Sequence, residues 1–201
     1  DNLATADANN STDIIRKDLI TGEIVVVSAG AGNVLGNGNS FNAQISDDGR
    51  YILFQSAATN LTTGDTTRVS TGVGKTTCSF INPETGDVLF ASTHHDPSSK
   101  QQQEDELKFR ASGQERRYSW DYDPEMELYV KSAKTGMLKR MTNKRGYDAE
   151  ASYSPDGQWI VFTSMRDAYN RPLSDAEKKQ LDTDPSYFAE IYIMRADGSG
   201  Q

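Results

Sequence analysis

A short turn closed by glycine, set between runs of β-branched and aromatic residues, recurs along this 201-residue chain. Residues 45–56 read Ile-Ser-Asp-Asp-Gly-Arg-Tyr-Ile-Leu-Phe-Gln-Ser, and residues 153–164 read Tyr-Ser-Pro-Asp-Gly-Gln-Trp-Ile-Val-Phe-Thr-Ser. Residues 80–93 follow the same plan around Gly86. Glycine accepts a positive φ without steric cost, so a glycine turn between such runs signals a hairpin. A second pattern accompanies the first, over residues 13–28 around Gly22 and 127–142 around Gly136. It begins again at residues 190–200 as Glu-Ile-Tyr-Ile-Met-Arg-Ala-Asp-Gly-Ser-Gly. One hairpin of each kind makes four antiparallel strands, the content of one propeller blade. The fold expected is all-β: a β-propeller of four-stranded antiparallel blades, with about three blades present where closed rings use roughly four to eight.

The rhythm has gaps. Hairpin 13–28 has no hairpin of the first kind before it, and residues 67–70 resemble the end of an outer hairpin whose first strand is missing. Thr66–Thr67 is therefore the expected place of a seam, and the chain reads as a partial ring or as half of one closed by another copy. Residues 97–124 and 166–189 interrupt the strands as long polar insertions, the kind of loop that tends to carry function. Within the second, Ser174 and Glu177 form a capping box that predicts a short helix from Asp175.

Composition narrows the partners. The net charge of −8 argues against nucleic acid and against an anionic membrane surface, and fits a protein that binds cations. No apolar run approaches the roughly 20 residues of a spanning helix. The sequence starts at Asp1 without a basic or apolar leader, so any signal peptide would precede it. Cys78 is the sole cysteine, which excludes an internal disulfide and multi-thiolate zinc sites, and its alternating surroundings predict a structural role.

Several clusters are candidate sites. Gly72-Val-Gly-Lys75 imitates a phosphate loop, but Val69 stands where the motif needs glycine and a strand follows where it needs a helix. Asp7, Asn9 and Asp13 place oxygens just before a strand, a set suited to calcium, or to Asx-turns alone. His94, His95 and Asp96 end a strand; adjacent strand residues face opposite ways, so one histidine rather than both would reach a common ligand. A metal or acid–base site would need His94, Asp121 and Glu150 within about 5 Å of one another. Tyr118, Trp120 and Tyr122 supply aromatic anchors of the type enriched at binding hot spots. No Gly-x-Ser-x-Gly elbow is present.

The stretch Ser-Pro-Asp-Gly-Gln-Trp-Ile-Val-Phe-Thr-Ser, followed by Glu-Ile-Tyr-Ile-Met-Arg-Ala-Asp-Gly-Ser-Gly, resembles the repeat of TolB-type propellers, a group within the wider WD-like families. Tyr147-Asp-Ala-Glu150 is similar to the start of a blade in that family. The resemblance covers most of residues 11–201 and divides them: 1–66 as a blade segment of one repeat subtype, 67–201 as TolB-like blades with the two insertions. It implies a non-catalytic scaffold, periplasmic or extracellular, that binds a protein or another polymer. His94 to Asp96 and residues 118–125 would lie at its rim and Glu150 near the channel. Further blades or a second copy would close the ring. A second reading stays open, a propeller portion of a hydrolase, prolyl-oligopeptidase-like or polysaccharide-active, whose catalytic residues lie elsewhere.

Overall fold

A computed structural model describes residues 9–46, 48–61, 66–115 and 122–201. The chain divides into two compact units, residues 1–69 and 70–201.

The first unit holds two antiparallel hairpins. Strands β1 (Ile15–Lys17) and β2 (Ile24–Val26) pair in the register Ile15 to Val26, and β3 (Ser40–Ile45) pairs with β4 (Ile52–Ser56). The second unit carries two larger sheets. Strands β5 (Thr76–Ile81), β6 (Val88–Ser92), β7 (Glu127–Lys131) and β8 (Leu138–Arg140) form a four-stranded antiparallel sheet in that order. Strands β9 (Ala149–Tyr153), β10 (Trp159–Ser164) and β11 (Glu190–Arg195) form a three-stranded one with β10 in the middle. The five hairpins expected from the glycine turns are present, but only β5–β6 and β7–β8 join into the four-stranded sheet expected of the repeat; β9–β10 gains β11 alone, and β1–β2 and β3–β4 each remain two-stranded.

Two turn chemistries sit behind the glycines. In Ser46-Asp-Asp-Gly49 and Ser154-Pro-Asp-Gly157 the serine hydroxyl donates to the aspartate (Asp48, Asp156), whose carboxylate accepts the next but one N–H. The same hydroxyl accepts the first N–H of the returning strand, from Tyr51 or Trp159, at 3.0 Å in both. The other turns end in Thr-Gly: Thr21-Gly22, Thr85-Gly86 and Thr135-Gly136. There the glycine N–H closes on a carbonyl four residues back, and the threonine hydroxyl accepts an N–H two residues on. Side chain and backbone together select the reversal, so each turn is specified locally.

The first strand of each hairpin of the first kind, β3, β5 and β9, carries a β-bulge. The register shifts at Asn42, Cys78 and Glu150, the three strand residues with positive φ, at 54°, 44° and 54°. Non-glycine residues in this region cost on the order of 1 kcal/mol, so surrounding pairing must hold them there. Cys78 is half-buried at its bulge.

The core lies between the two sheets of the second unit. Leu89, Ala91 and Leu128 of the first sheet meet Ala149, Tyr153, Ile160, Phe162 and Met194 of the second. Strand alternation selects these sets: Leu89 lies opposite Val130 and Ala91 opposite Leu128, while Ile160 lies between Tyr153 and Met194. Fully burying the Leu, Ile, Phe and Met side chains among them stabilises the fold by roughly 1.5–3 kcal/mol each.

The insertions are partly helical. The first contains helix α1 (Ser99–Ala111), where the sequence reads only as a polar stretch; apart from Ser99 it buries almost nothing. The second contains a short turn of helix, α2 (Asp167–Asn170), and then α3 (Asp175–Thr183), which starts on the expected capping box with both halves formed between Ser174 and Glu177.

Asn82 ties the two sheets of this unit together at their turns. Its amide donates to the Gly157 carbonyl at 3.1 Å, and its own oxygen accepts the Glu84 and Thr85 N–H groups. A Cβ on Gly157 would stand 2.6 Å from that pinned oxygen, whereas one on Gly136 would meet nothing within 4 Å. Both glycines have positive φ, 64° and 70°. Gly136→Ala should therefore cost about 1–2 kcal/mol, the backbone penalty alone, and Gly157→Ala distinctly more. Urea unfolding of the two variants measures the difference.

Candidate functional site

The ends of the hairpins share a polar device. A hydroxyl at the last position of β4, β6 and β10, Ser56, Ser92 or Ser164, accepts the N–H two residues on, from Ala58, His94 or Arg166. The same hydroxyls meet the side chains of Ser40, Thr76 and Asp148 across the hairpin. The hairpins of the second kind, β1–β2 and β7–β8, use a variant. Ser28 and Thr142 accept the N–H of Ile14 and Leu128, at 3.0 and 2.9 Å. In the first unit Ser28 also donates to Asp13. These hydroxyls terminate the strands, and whatever follows them is held at the sheet's end.

In the four-stranded sheet the residue so placed is His94. Its ring centroid lies 4.1 Å from that of Tyr129, which itself stacks on Phe90. In the three-stranded sheet the matching residue is Arg166, whose guanidinium lies over Tyr192 and Phe162, the equivalent stacked pair. The two sheets thus share an aromatic pair topped by a group that can be cationic.

His95 reaches the same tyrosine. Strand β6 ends at Ser92, and the Thr93–Asp96 reversal closes when the Asp96 N–H donates to the Thr93 carbonyl at 2.9 Å. The opposite-face expectation for adjacent histidines fails here because alternation holds only within a strand. His95 Nδ1 lies 3.0 Å from the Tyr129 hydroxyl and its Nε2 lies 3.1 Å from Arg140 Nη2. A guanidinium only donates, so Nε2 is the bare, accepting nitrogen and Nδ1 carries the proton.

Arg140 is the hub. It also donates to Glu127 Oε1 at 2.7 Å and to the Thr142 carbonyl at 2.8 Å. Glu127 is 2 % exposed, and its Oε2 has no hydrogen-bond partner among the described residues. Burial pushes its carboxyl above the ordinary range; hydrogen bonds from Thr142 and Arg140 oppose this. Glu125 stands at the outer edge, 3.1 Å from Arg145 and 4.0 Å from His95 Nε2. Arg145 lies over the ring of Tyr169, whose hydroxyl pairs with that of Tyr122. Burial and that pairing raise the Tyr122 phenol far above its usual range. Beside this group, buried Asp123 accepts from Lys75 at 3.3 Å.

The candidate residues divide accordingly. His94, His95 and Tyr122 belong to this end of the sheet. Asp96 instead starts α1, accepting from the Ser98 N–H and hydroxyl. Glu150 sits at the β9 bulge with its side chain exposed. Asp13 accepts from Ser28 and from Asn9, the latter at 3.0 Å. Asp7, Tyr118, Trp120 and Asp121 lie outside the described residues. Among the described residues no three His, Cys, Asp or Glu side chains form a group able to hold a metal. Glu127, Tyr129, Arg140 and Arg166 escape motif reading, because each gains its meaning from a partner on another strand. The aligned serines before His94 and Arg166 are the signal that could have found them.

No family model matches the sequence. The solved structure of TolB from Acinetobacter baumannii aligns with 94% of this chain at a TM-score of 0.50 and 19% identity. The chain has a TolB-like fold. It spans 36% of the length of that Acinetobacter protein. A structure described as TolB from Agrobacterium tumefaciens aligns with 93% of this chain and 69% of its own length, at 17% identity and a TM-score of 0.33. Among the described residues no helix is long and apolar enough to cross a membrane.

Within the TolB-like fold, the three-stranded sheet holds a buried ion pair. Arg166 Nη2 lies 2.8 Å from Asp148 Oδ2, with the side chains 7% and 0% exposed. Burial raises the Asp148 carboxyl, and the Ser164 hydroxyl and Arg166 offset this. Arg166→Met should cost about 3–5 kcal/mol, because it leaves a buried carboxylate alone. The urea midpoint of that variant tests it.

The histidines give a pH signature. Burial first, then the neighbouring Arg140 charge, hold both below the ordinary 6.5. A depressed histidine favours the folded state in its neutral form. That contribution is complete above pH 6.5 and is lost as the pH falls from there through the lower folded-state value. Thermal unfolding at about pH 7.5 and about pH 5.5 should show a larger acid-induced drop for the wild type than for the His94→Gln, His95→Gln double variant.

Proposed function

We propose that this chain is a segment of a non-catalytic β-propeller scaffold of the cell envelope or the extracellular space, and that it binds a protein or another polymer. In this reading each sheet is a blade, with residues 1–66 and 67–201 belonging to two repeat subtypes. The binding surface is the histidine end of the four-stranded sheet.

The observation that carries the reading is the Arg140–His95–Tyr129 chain anchored on buried Glu127. Arginine and tyrosine dominate binding hot spots because they combine flat contact area with directed hydrogen bonding. Here Glu127 and Thr142 fix the guanidinium, and Tyr129 fixes the imidazole, so little side-chain entropy remains to be lost on binding. Arg145, held over Tyr169, extends the same surface with a second guanidinium. The TolB-like fold supports an envelope setting.

The test uses the purified chain and an Arg140→Ala, Arg145→Ala variant. Co-sedimentation with isolated peptidoglycan and capture on immobilised envelope proteins are measured for both. The wild type should bind one of them, and the variant should bind at least about tenfold more weakly, a change of about 1.4 kcal/mol. Equal binding by the two would remove this surface from the reading. Turnover of chromogenic peptide or glycoside substrates by the chain alone would replace the scaffold with a hydrolase.

A further inference from the structure

Arg140 is held in place without being saturated. A guanidinium carries five N–H donors. Here Nε donates to the Thr142 carbonyl, and Nη2 donates to Glu127 Oε1 and to His95 Nε2. Among the described residues the two N–H groups of Nη1 have no acceptor, and the side chain is 37% exposed. Nη1 alone offers a ligand one prong. A carboxylate grips a guanidinium best through two parallel N–H bonds, and with Nε spent on the backbone the second must come from Nη2. Of the two groups on Nη2, Glu127 is a buried acid. His95 is the one that a proton displaces. Its Nε2 accepts from Arg140 only while neutral; protonated, that nitrogen becomes a donor and sets a second cation beside the first.

The protein's own carboxylate marks what the opened place takes. Glu125 lies 4.0 Å from His95 Nε2 and 3.1 Å from Arg145, whose guanidinium rests over Tyr169. Arg140, His95 and Arg145 are thus a row of cationic or protonatable groups with one internal acid among them, and all lie in the second unit. Lys144 adds a charge beside Arg145 in the sequence. On a chain of net charge −8, this row suits successive carboxylates of one acidic segment better than the dense phosphate charge of a nucleic acid.

We propose that protonation of His95 opens Arg140 as a two-pronged site for a carboxylate, and that the histidine end captures an acidic stretch of a protein with uptake of a proton. The proposal rests on reading that end as the binding surface, and adds the chemistry of the ligand and its pH dependence. The titratable and charged groups facing His95 are Tyr129 of β7, Arg140 of β8, Asp123 and Glu125 before β7, and His94 and Asp96 beside it. Burial first, then the Arg140 and His94 charges, hold His95 below the ordinary 6.5, and Asp96 and Asp123 oppose this. The imidazole is therefore neutral and Nη2 occupied at neutral pH, and binding tightens as the pH falls below 6.5.

Fluorescence anisotropy of a labelled hexa-aspartate peptide on the purified chain, at about pH 7.5 and about pH 5.5, tests it. Aspartate titrates near about 3.9, so the probe stays ionised at both. The wild type should bind at least about fivefold more tightly at the lower pH, within the roughly tenfold per pH unit that uptake of one proton allows. His95→Gln offers Arg140 an acceptor that cannot be protonated, and its affinity should be the same at both pH values. Arg140→Lys keeps the charge without the fork, and should bind at least about tenfold more weakly at the lower pH. Circular dichroism at both pH values checks that each variant is folded. A wild-type affinity that is flat or weaker at the lower pH overturns the proposal. So does a His95→Gln variant that tightens like the wild type, or a hexathymidylate that binds as tightly as hexa-aspartate. Capture of peptidoglycan or envelope protein in the assay above, with no binding of hexa-aspartate, overturns this proposal alone and leaves the surface standing; equal binding in that assay by the Arg140→Ala, Arg145→Ala variant removes the surface itself.

Discussion

The packing of Ile160, Phe162 and Met194 against Leu89, Ala91 and Leu128 is the contact on which the second unit depends. A single hairpin is at best marginally stable in water, and a sheet of three or four strands still has a face to bury. Here the front of one sheet covers the back of its neighbour, and Asn82 locks the two at their turns through the Gly157 carbonyl. Each sheet in such a stack has one face to give and one to receive. Stability within the second unit then comes from nearest neighbours, as in repeat architectures.

The polar ends of the sheets follow from the same arrangement. Strands stop where a serine or threonine hydroxyl takes over the hydrogen bonding of the ladder, and the residue two positions on is delivered to a fixed place over the Phe–Tyr pair. In one sheet that residue is Arg166, neutralised by buried Asp148. In the other it is His94, with His95, Arg140 and Glu127 gathered around the same tyrosine. One scaffold position carries a structural ion pair in one repeat and a partly exposed, titratable cluster in the next. The difference lies in which side chain pairs with the buried acid. Arg166 reaches Asp148 directly and closes the site, whereas Glu127 is reached by Arg140 from β8, which leaves the histidines at the surface.

Much of this was legible in the sequence because it is local. The Ser-x-Asp-Gly and Thr-Gly turns contain their own hydrogen-bond partners within a few residues, and so does the Ser174–Glu177 capping box. Strand alternation around Leu89 and Ile160 likewise names the residues that share a face. The TolB-like resemblance rests on these same short segments.

Other features had no local signal. The positive φ at Asn42, Cys78 and Glu150 arises from a register shift against the partner strand, so nothing in those residue types announces it. Helix α1 forms in a stretch whose polar residues show no apolar stripe, and only its place after the Thr93–Asp96 reversal starts it. His94 and His95 meet on one tyrosine because the strand ends two residues earlier than alternation assumes. The sequence by itself determined the hairpins, their turns and the faces of their strands, since these depend on residues close along the chain. The tertiary structure alone decided which acids are buried, which arginine answers each, and which apolar face is left open, because those outcomes depend on groups brought together from different strands.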